Sequence, residues 1–355
     1  TDCSKAVFLY TTKQLARSPL TYCMCAIVTN TPKKRGRRVL NVSVVKQWQQ
    51  RTLIVLCAVL LVCNIGWFVK RDSGAARINT ADLQKKFPLL SADVLAYNPN
   101  DILINFVPLR KDLQKKFDAL TVQKSFYFEY LPDGTSIRIG ADQQLTAASL
   151  IKVPLAMNLY KAAELGRINL DQTVTVQENE LDDAYGNLYK RGSGFRLTLR
   201  EAAKYMLEQS DNTATRVVYD HMQNKLSYDE QSLARLDIDQ NIENGQAVIT
   251  ARSYGSVLKG LYFSAYLNNS DSQELLGYLT HSTATNRITA QLPGSVKVAH
   301  KIGVYNANWA ESDCGIVYVP RRPYMLCVMV GLPEDQANQF IAGVSKDIYD
   351  YVTKQ

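Results

Sequence analysis

Ala147-Ala148-Ser149-Leu150-Ile151-Lys152-Val153-Pro154-Leu155-Ala156-Met157 stands where the chain leaves a loop and enters an apolar segment, expected to be helical from about Ser149 to Leu165. Positions three apart share a helix face, so the spacing lets the Lys152 amine reach the Ser149 hydroxyl. A helix start also puts the positive end of the dipole beneath that hydroxyl. Serine is a poor nucleophile until a base takes its proton, and lysine serves as that base only when burial or a nearby cation lowers its pKa. Taken alone, the pair has an ordinary reading as a helix cap and a surface lysine.

The flanking sequence supplies context. Just before it, SFYFEY (125–130) and SIRIG (136–140) alternate apolar and polar residues around a Pro-Asp-Gly turn, which predicts a hairpin opening the globular domain. A helix is expected before the hairpin, around Leu109 to Leu120. After the apolar helix comes a glycine-bearing stretch, Asp182 to Gly194, then a helix over Leu199 to Glu208. Ser210-Asp211-Asn212 follows directly, and its ordinary reading is a cap and turn. Further on, a strand over Val296 to Tyr305 contains His300-Lys301-Ile302-Gly303, where the glycine would let a substrate backbone approach the sheet edge. His300 alternates to the other face from Lys301 and reads as structural. Two more strands, CGIVYV (314–319) and YMLCVMVG (324–331), flank the turn Pro320 to Pro323, and a helix over Asp335 to Val352 closes the chain. Strands at both ends with a mostly helical middle predict an α/β (α+β) fold: one antiparallel sheet flanked by helices, with an inserted helical subdomain.

Each of the three motifs is common, but their order, spacing and context together are not. On Ser149-Leu150-Ile151-Lys152, Ser210-Asp211-Asn212 and Lys301-Ile302-Gly303 the chain resembles the penicillin-recognising serine enzymes, most closely the class A β-lactamase domain with its Ser-x-x-Lys, Ser-Asp-Asn and Lys-Thr-Gly motifs. The resemblance runs from about Val107 to Lys354 and implies a β-lactamase/transpeptidase-like fold. It implies that Ser149 is the acylated nucleophile, Lys152 its general base or proton relay, and Ser210 the group that passes a proton to the leaving nitrogen. Asn212 would hold the substrate amide, Lys301 would attract the substrate carboxylate, and the backbone N–H groups of Ser149 and Val304 would form the oxyanion hole. Gly303 belongs to the same substrate-binding strand. Tyr185 and Tyr189 lie in the glycine-bearing loop where such domains place an aromatic wall; a partly buried loop aromatic is the other reading.

Three departures bear on activity. Ile302 replaces the hydroxyl residue of the third motif, removing one hydrogen bond to a substrate carboxylate. Cys314 stands where class A enzymes often carry an arginine. The segment from Ser210 to Lys301 is short and lacks the Glu-x-x-Leu-Asn pattern of the deacylating glutamate, whose place Gln240 takes in an ungapped reading of residues 235–244. Asp239 or Glu243 is a substitute or a solvated loop charge. Three functions follow from the resemblance: a β-lactamase, a D,D-peptidase acting on D-alanyl-D-alanine stem peptides, which does not use that glutamate, or an acylated sensor without turnover.

Charge and hydropathy organise the rest. Residues 1–77 carry 13 Lys and Arg against Asp2 and Asp72, so the formal total of +8 leaves residues 78–355 mildly acidic. Nothing in that balance suggests a phosphate-binding surface in the folded part, and no nucleic acid is expected as a partner. The uncharged run Leu53 to Val69 is long enough to cross a bilayer as a helix, Trp48 and Trp67 bracket it, and the excess of basic residues ahead of it places the N-terminus in the cytoplasm. The expected organisation is a basic cytoplasmic tail (1–51), a transmembrane signal anchor (52–69), a stalk (70–105) and an extracytoplasmic, monomeric serine hydrolase domain (106–355). A cleaved signal peptide is the competing reading of the apolar run. Five of seven cysteines precede residue 78; Cys314 and Cys327 form either one bridge across a hairpin or two buried thiols. The histidines His221, His281 and His300 are far apart, and neither metal nor cofactor is expected.

Overall fold

A computed structural model describes residues 103–354 except 239, 240 and 308. The expected tail, the membrane anchor and nearly all of the stalk lie outside the described residues, as do Asp239 and Gln240. No described helix is long and apolar enough to cross a membrane.

The elements, in chain order, are α1 (Val107–Asp118), β1 (Lys124–Tyr130), β2 (Ser136–Ile139), β3 (Gln144–Thr146), α2 (Lys152–Glu164), β4 (Thr173–Thr175), β5 (Arg196–Thr198), α3 (Leu199–Glu208), α4 (Asn212–Met222) and α5 (Ser232–Arg235). They continue as β6 (Asn241–Glu243), β7 (Gln246–Thr250), α6 (Ala251–Tyr262), α7 (Asn269–Thr280), β8 (Val298–Tyr305), β9 (Ala310–Val317), β10 (Tyr324–Gly331) and α8 (Glu334–Lys354). Five strands form one antiparallel sheet in the order β2-β1-β10-β9-β8, so the N-terminal hairpin pairs with the C-terminal strands, as the sequence predicts.

Period-two alternation divides this sheet between two cores. Phe126, Phe128 and Tyr130 of β1 and Leu326, Val328 and Val330 of β10 face Leu109, Leu113 and Phe117 of α1 and Ile341, Val344 and Ile348 of α8. Ile104 also packs in this core, so the domain includes at least the last residues assigned to the stalk. On the opposite face, Tyr127, Met325, Cys327 and Met329 join the larger core built from α2, α3, α4, α6 and α7.

The middle of the chain is less helical than expected. Asn241–Glu243 and Gln246–Thr250 form a hairpin, and its second strand pairs with β3 to give a separate three-stranded sheet, β3-β7-β6. Its turn is Asn244-Gly245, with φ of 51° and 75°. Both values lie in the left-handed region that a tight hairpin turn needs and that this residue pair tolerates.

Cys314 and Cys327 are bonded to each other. They are direct partners in the β9–β10 register, on the face that carries the larger core, which settles the open choice between bridge and thiols. Closing a loop of 13 residues removes denatured-state entropy equivalent to about 3 kcal/mol. Replacing both cysteines by alanine is therefore expected to lower unfolding free energy by about that amount; urea denaturation under non-reducing conditions checks this, and an unchanged midpoint would contradict the bridge.

Candidate active site

The expected helix over the first motif begins three residues late. Ala148–Ile151 form a 3-10 turn, and the α-helix starts at Lys152. Pro154 explains the boundary, because it lacks the N–H that would extend the helical ladder back to the Leu150 carbonyl. Ser149 is thus presented, partly buried, on a tight turn, and Ala148 before it adopts φ 45°. A non-glycine residue in that region is strained and persists only where its surroundings hold it. Here they do so from two sides. The Ala147 N–H donates to the Ala247 carbonyl of β7 at 2.8 Å, and strand β8 lies against the turn at Gly303.

Gly303 has a different reason from the one its sequence context suggests. A Cβ there would lie 2.8 Å from the Ala147 carbonyl, 2.5 Å from Ser312 Oγ and 3.3 Å from Leu150 Cγ. The glycine lets the Ser149 turn pack on β8; that contact, rather than the approach of a substrate, demands a missing side chain. Val304, the next residue, is half-buried and pairs with Glu311.

Lys152, Ser210, Asn212 and Lys301 converge. Lys152 is 3% exposed. Its amine donates to the Ser210 carbonyl at 2.5 Å and to Asn212 Oδ1 at 2.7 Å, and stands 3.3 Å from Ser210 Oγ. Lys301, also buried, donates to that same Ser210 Oγ at 2.8 Å and to the Ile302 carbonyl at 3.3 Å. Ser210 adopts φ 54°, which lets its carbonyl and hydroxyl both face Lys152. The expected reach from Lys152 to Ser149 is not a hydrogen bond in this arrangement: among the described residues, none joins the Ser149 hydroxyl to either lysine.

Two buried amines around one hydroxyl cannot both carry full charge cheaply. Burial pushes the Lys152 pKa down to about 8, with Asp211 and Asp182 acting the other way. Burial, reinforced by the Lys152 and Arg287 charges, holds Lys301 well below the usual lysine range against the pull of Asp313. A neutral amine therefore becomes accessible near neutral pH, which is the condition a lysine base needs.

The loop ahead of α4 fixes Asn212. Asp211 caps that helix by accepting from the Ala214 N–H at 2.9 Å, and its other oxygen accepts from the Asn187 and Leu188 N–H groups at 2.7 and 2.9 Å. The Asn212 N–H donates to the Tyr185 carbonyl at 2.9 Å. Tyr185 contributes this backbone contact while its side chain is 43% exposed. Tyr189 is partly buried with the Lys190 ammonium 5.7 Å from its ring centroid.

Other groups take structural places. His300 is buried with Nδ1 2.9 Å from Asp313 Oδ1, as a structural histidine should be. Ile302 is buried and pairs with Asp313. Glu243 is exposed on the added hairpin. Arg287, which carried no signal in the sequence, is 1% exposed and ties the site's rear wall together. It donates to the carbonyls of Gly303 and Ser312 at 3.0 and 2.7 Å and to Asn338 Oδ1 at 2.7 Å, and it pairs with Glu311.

This combination of a mixed sheet-and-helix fold with a serine turn, two buried lysines and an asparagine in one place is that of a serine hydrolase of the penicillin-recognising superfamily. The profile of the beta-lactamase enzyme family matches residues 108–352, and the chain belongs to that family. A beta-lactamase of Bacteroides uniformis is 26% identical over 245 residues, covering 61% of this chain and 82% of that protein. The extended-spectrum beta-lactamase PER-1 of Pseudomonas aeruginosa is 23% identical over 233 residues, covering 58% of this chain and 75% of its own. Among solved structures, PBP-A superposes with a TM-score of 0.64 at 23% identity, covering 72% of this chain and 99% of that one, and a mutant of PBP-A has been captured as an acyl-enzyme with penicillin G.

Gly186, at φ 97°, approaches Asp211 so closely that a Cβ would fall 2.1 Å from Oδ2. Gly186→Ala is expected to cost about 2–3 kcal/mol through backbone strain and displacement of that carboxylate. Chemical denaturation measures this, and a variant as stable as the parent would contradict the placement of Asp211.

Proposed function

We propose that this hydrolase forms an acyl-enzyme at Ser149 with β-lactams and hydrolyses the β-lactam amide. The observation that carries the reading is the doubly bound, largely desolvated Lys152 amine one turn from Ser149 and in contact with Ser210. In the proposed acylation, the Ser149 hydroxyl attacks the lactam carbonyl, its proton passes to neutral Lys152, and the C–N bond breaks as Ser210 delivers a proton to the leaving nitrogen. Lys301 replenishes the Ser210 proton and attracts the substrate carboxylate. The N–H groups of Ser149 and Val304 receive the developing oxyanion, and Asn212 holds the substrate amide. Water then clears the ester.

A second reading is a D,D-peptidase that removes the terminal D-alanine of a peptidoglycan stem. It shares every acylation step, and it is favoured by the exposed position of Glu243 and by the likeness to PBP-A. The apolar run at 53–69, preceded by basic residues, supports anchoring at a membrane with the hydrolase on its outer side.

A chromogenic cephalosporin separates the two readings: sustained turnover supports hydrolysis of β-lactams, whereas a stoichiometric burst with stable labelling, followed by release of D-alanine from a stem-peptide mimic, supports the peptidase. Ser149→Ala is expected to abolish labelling without unfolding the domain, and persistent labelling would place the nucleophile elsewhere.

Because acylation needs the neutral amine, its second-order rate should climb with pH and pass half its maximum near pH 8. Lys152→Ala should slow acylation about a thousandfold or more and remove this limb. Stopped-flow measurements across pH test both, and a parent rate that is flat from pH 6 to 10 would exclude Lys152 as base.

A further inference from the structure

The side chains that touch Lys152 and Ser210 leave one neighbouring group without a role. Asp182, in the loop between β4 and β5, sends Oδ1 to Asn212 Nδ2 at 3.1 Å and to the Ala184 N–H at 3.0 Å. Its Oδ2 accepts from Arg216 Nη2 and Nε at 2.7 and 3.0 Å. Its own N–H donates to Thr213 Oγ1 at 3.0 Å, so backbone and side chain are both anchored to α4.

From this geometry we infer that Asp182 is a positioning residue for the hydrolytic reaction, holding the Asn212 amide in the one orientation that leaves the Lys152 lone pair free. The inference rests on the assignment of Lys152 as base. A neutral amine has two N–H bonds and one lone pair. The Ser210 carbonyl and Asn212 Oδ1 occupy the two N–H bonds, which leaves the lone pair as the remaining valence, with the Ser210 hydroxyl 3.3 Å away as the third neighbour of the amine. An amide rotated by half a turn would present N–H groups to Lys152 and occupy that lone pair instead. The Asp182 carboxylate, an acceptor only when ionised, forbids the rotation because it would then face the amide oxygen. It also occupies just one of the two Nδ2 hydrogens and leaves the second for substrate.

Although partial burial works the other way, hydrogen bonds from Asn212, Arg216 and the Ala184 N–H keep the Asp182 carboxyl below its ordinary range. It is therefore ionised wherever Lys152 titrates. The charged groups that act on Lys152 are Asp182, Asp211 from the cap of α4 and Lys301 from β8. Loss of the Asp182 charge should accordingly ease deprotonation of Lys152.

The test is the acylation rate against pH for the full chain with a chromogenic cephalosporin, alongside circular dichroism to show that each variant is folded. Asp182→Asn should lower the plateau about ten- to a hundredfold while moving the limb about half a unit to lower pH. Asp183→Asn removes the same charge from the exposed neighbour and should leave plateau and limb as in the parent. Arg216→Gln keeps the Asp182 carboxylate and strips its counter-ion, so its limb should move to higher pH; this variant decides the matter if Asp182→Asn fails to fold. A plateau within twofold of the parent in Asp182→Asn, a lowered plateau with an unmoved limb, or a limb that stays put or falls in Arg216→Gln would overturn the inference. Failure of the parent to label at Ser149 would instead remove the underlying assignment.

Discussion

The hydrogen-bond valence of one amine governs this site. Lys152 lies in the larger core, where an ammonium is costly, yet it is never without partners, because Ser210 and Asn212 surround it. Desolvation alone would leave an inert neutral group, and full pairing alone would leave a permanent cation. The intermediate state, with acceptors for two N–H bonds and a pKa near 8, gives a group that is readily neutral while its N–H bonds remain engaged. The strained backbones of Ala148 and Ser210, the capped loop at Asp211 and the sheet that brings Lys301 to the opposite side of Ser210 all serve to hold that coordination.

The sheet contributes through register. Lys301 pairs with Cys314, Cys314 with Cys327, and Cys327 with Tyr127, a single row across four strands. The site's second lysine is therefore fixed at the end of a row that contains a covalent bond. Arg287 acts similarly from behind, joining the carbonyls of Gly303 and Ser312 on adjacent strands. Its buried charge is compensated by Glu311, Asn338 and two carbonyls, as an interior guanidinium requires.

Strong periodicity made the large elements legible. The hairpin SFYFEY–SIRIG and the helix Leu199–Glu208 follow from alternation and spacing, and four of the motif residues meet around one point as their order suggested. What escaped was local or nonlocal in a way no period records. The 3-10 turn at Ser149 depends on Pro154, a signal present but easily lost in an apolar run. The hairpin at 241–250 hid in a stretch compared with a loop, although Asn244-Gly245 marks its turn. Asp182 and Arg287 look like ordinary charges until folding brings Asn212 and β8 against them.

Where two stretches of main chain press directly on one another, heredity has little to work with. At Gly303 every side chain, even a methyl, would meet the Ala147 carbonyl, so the floor beneath Ser149 offers selection almost no viable alternatives. Substitution is far less constrained at the solvent-facing residues of Asn241–Glu243 and at Trp309, where a change of size or polarity meets open water rather than backbone. A methyl group is thus tolerated more cheaply almost anywhere on that exposed surface than at the one point where these two backbones touch.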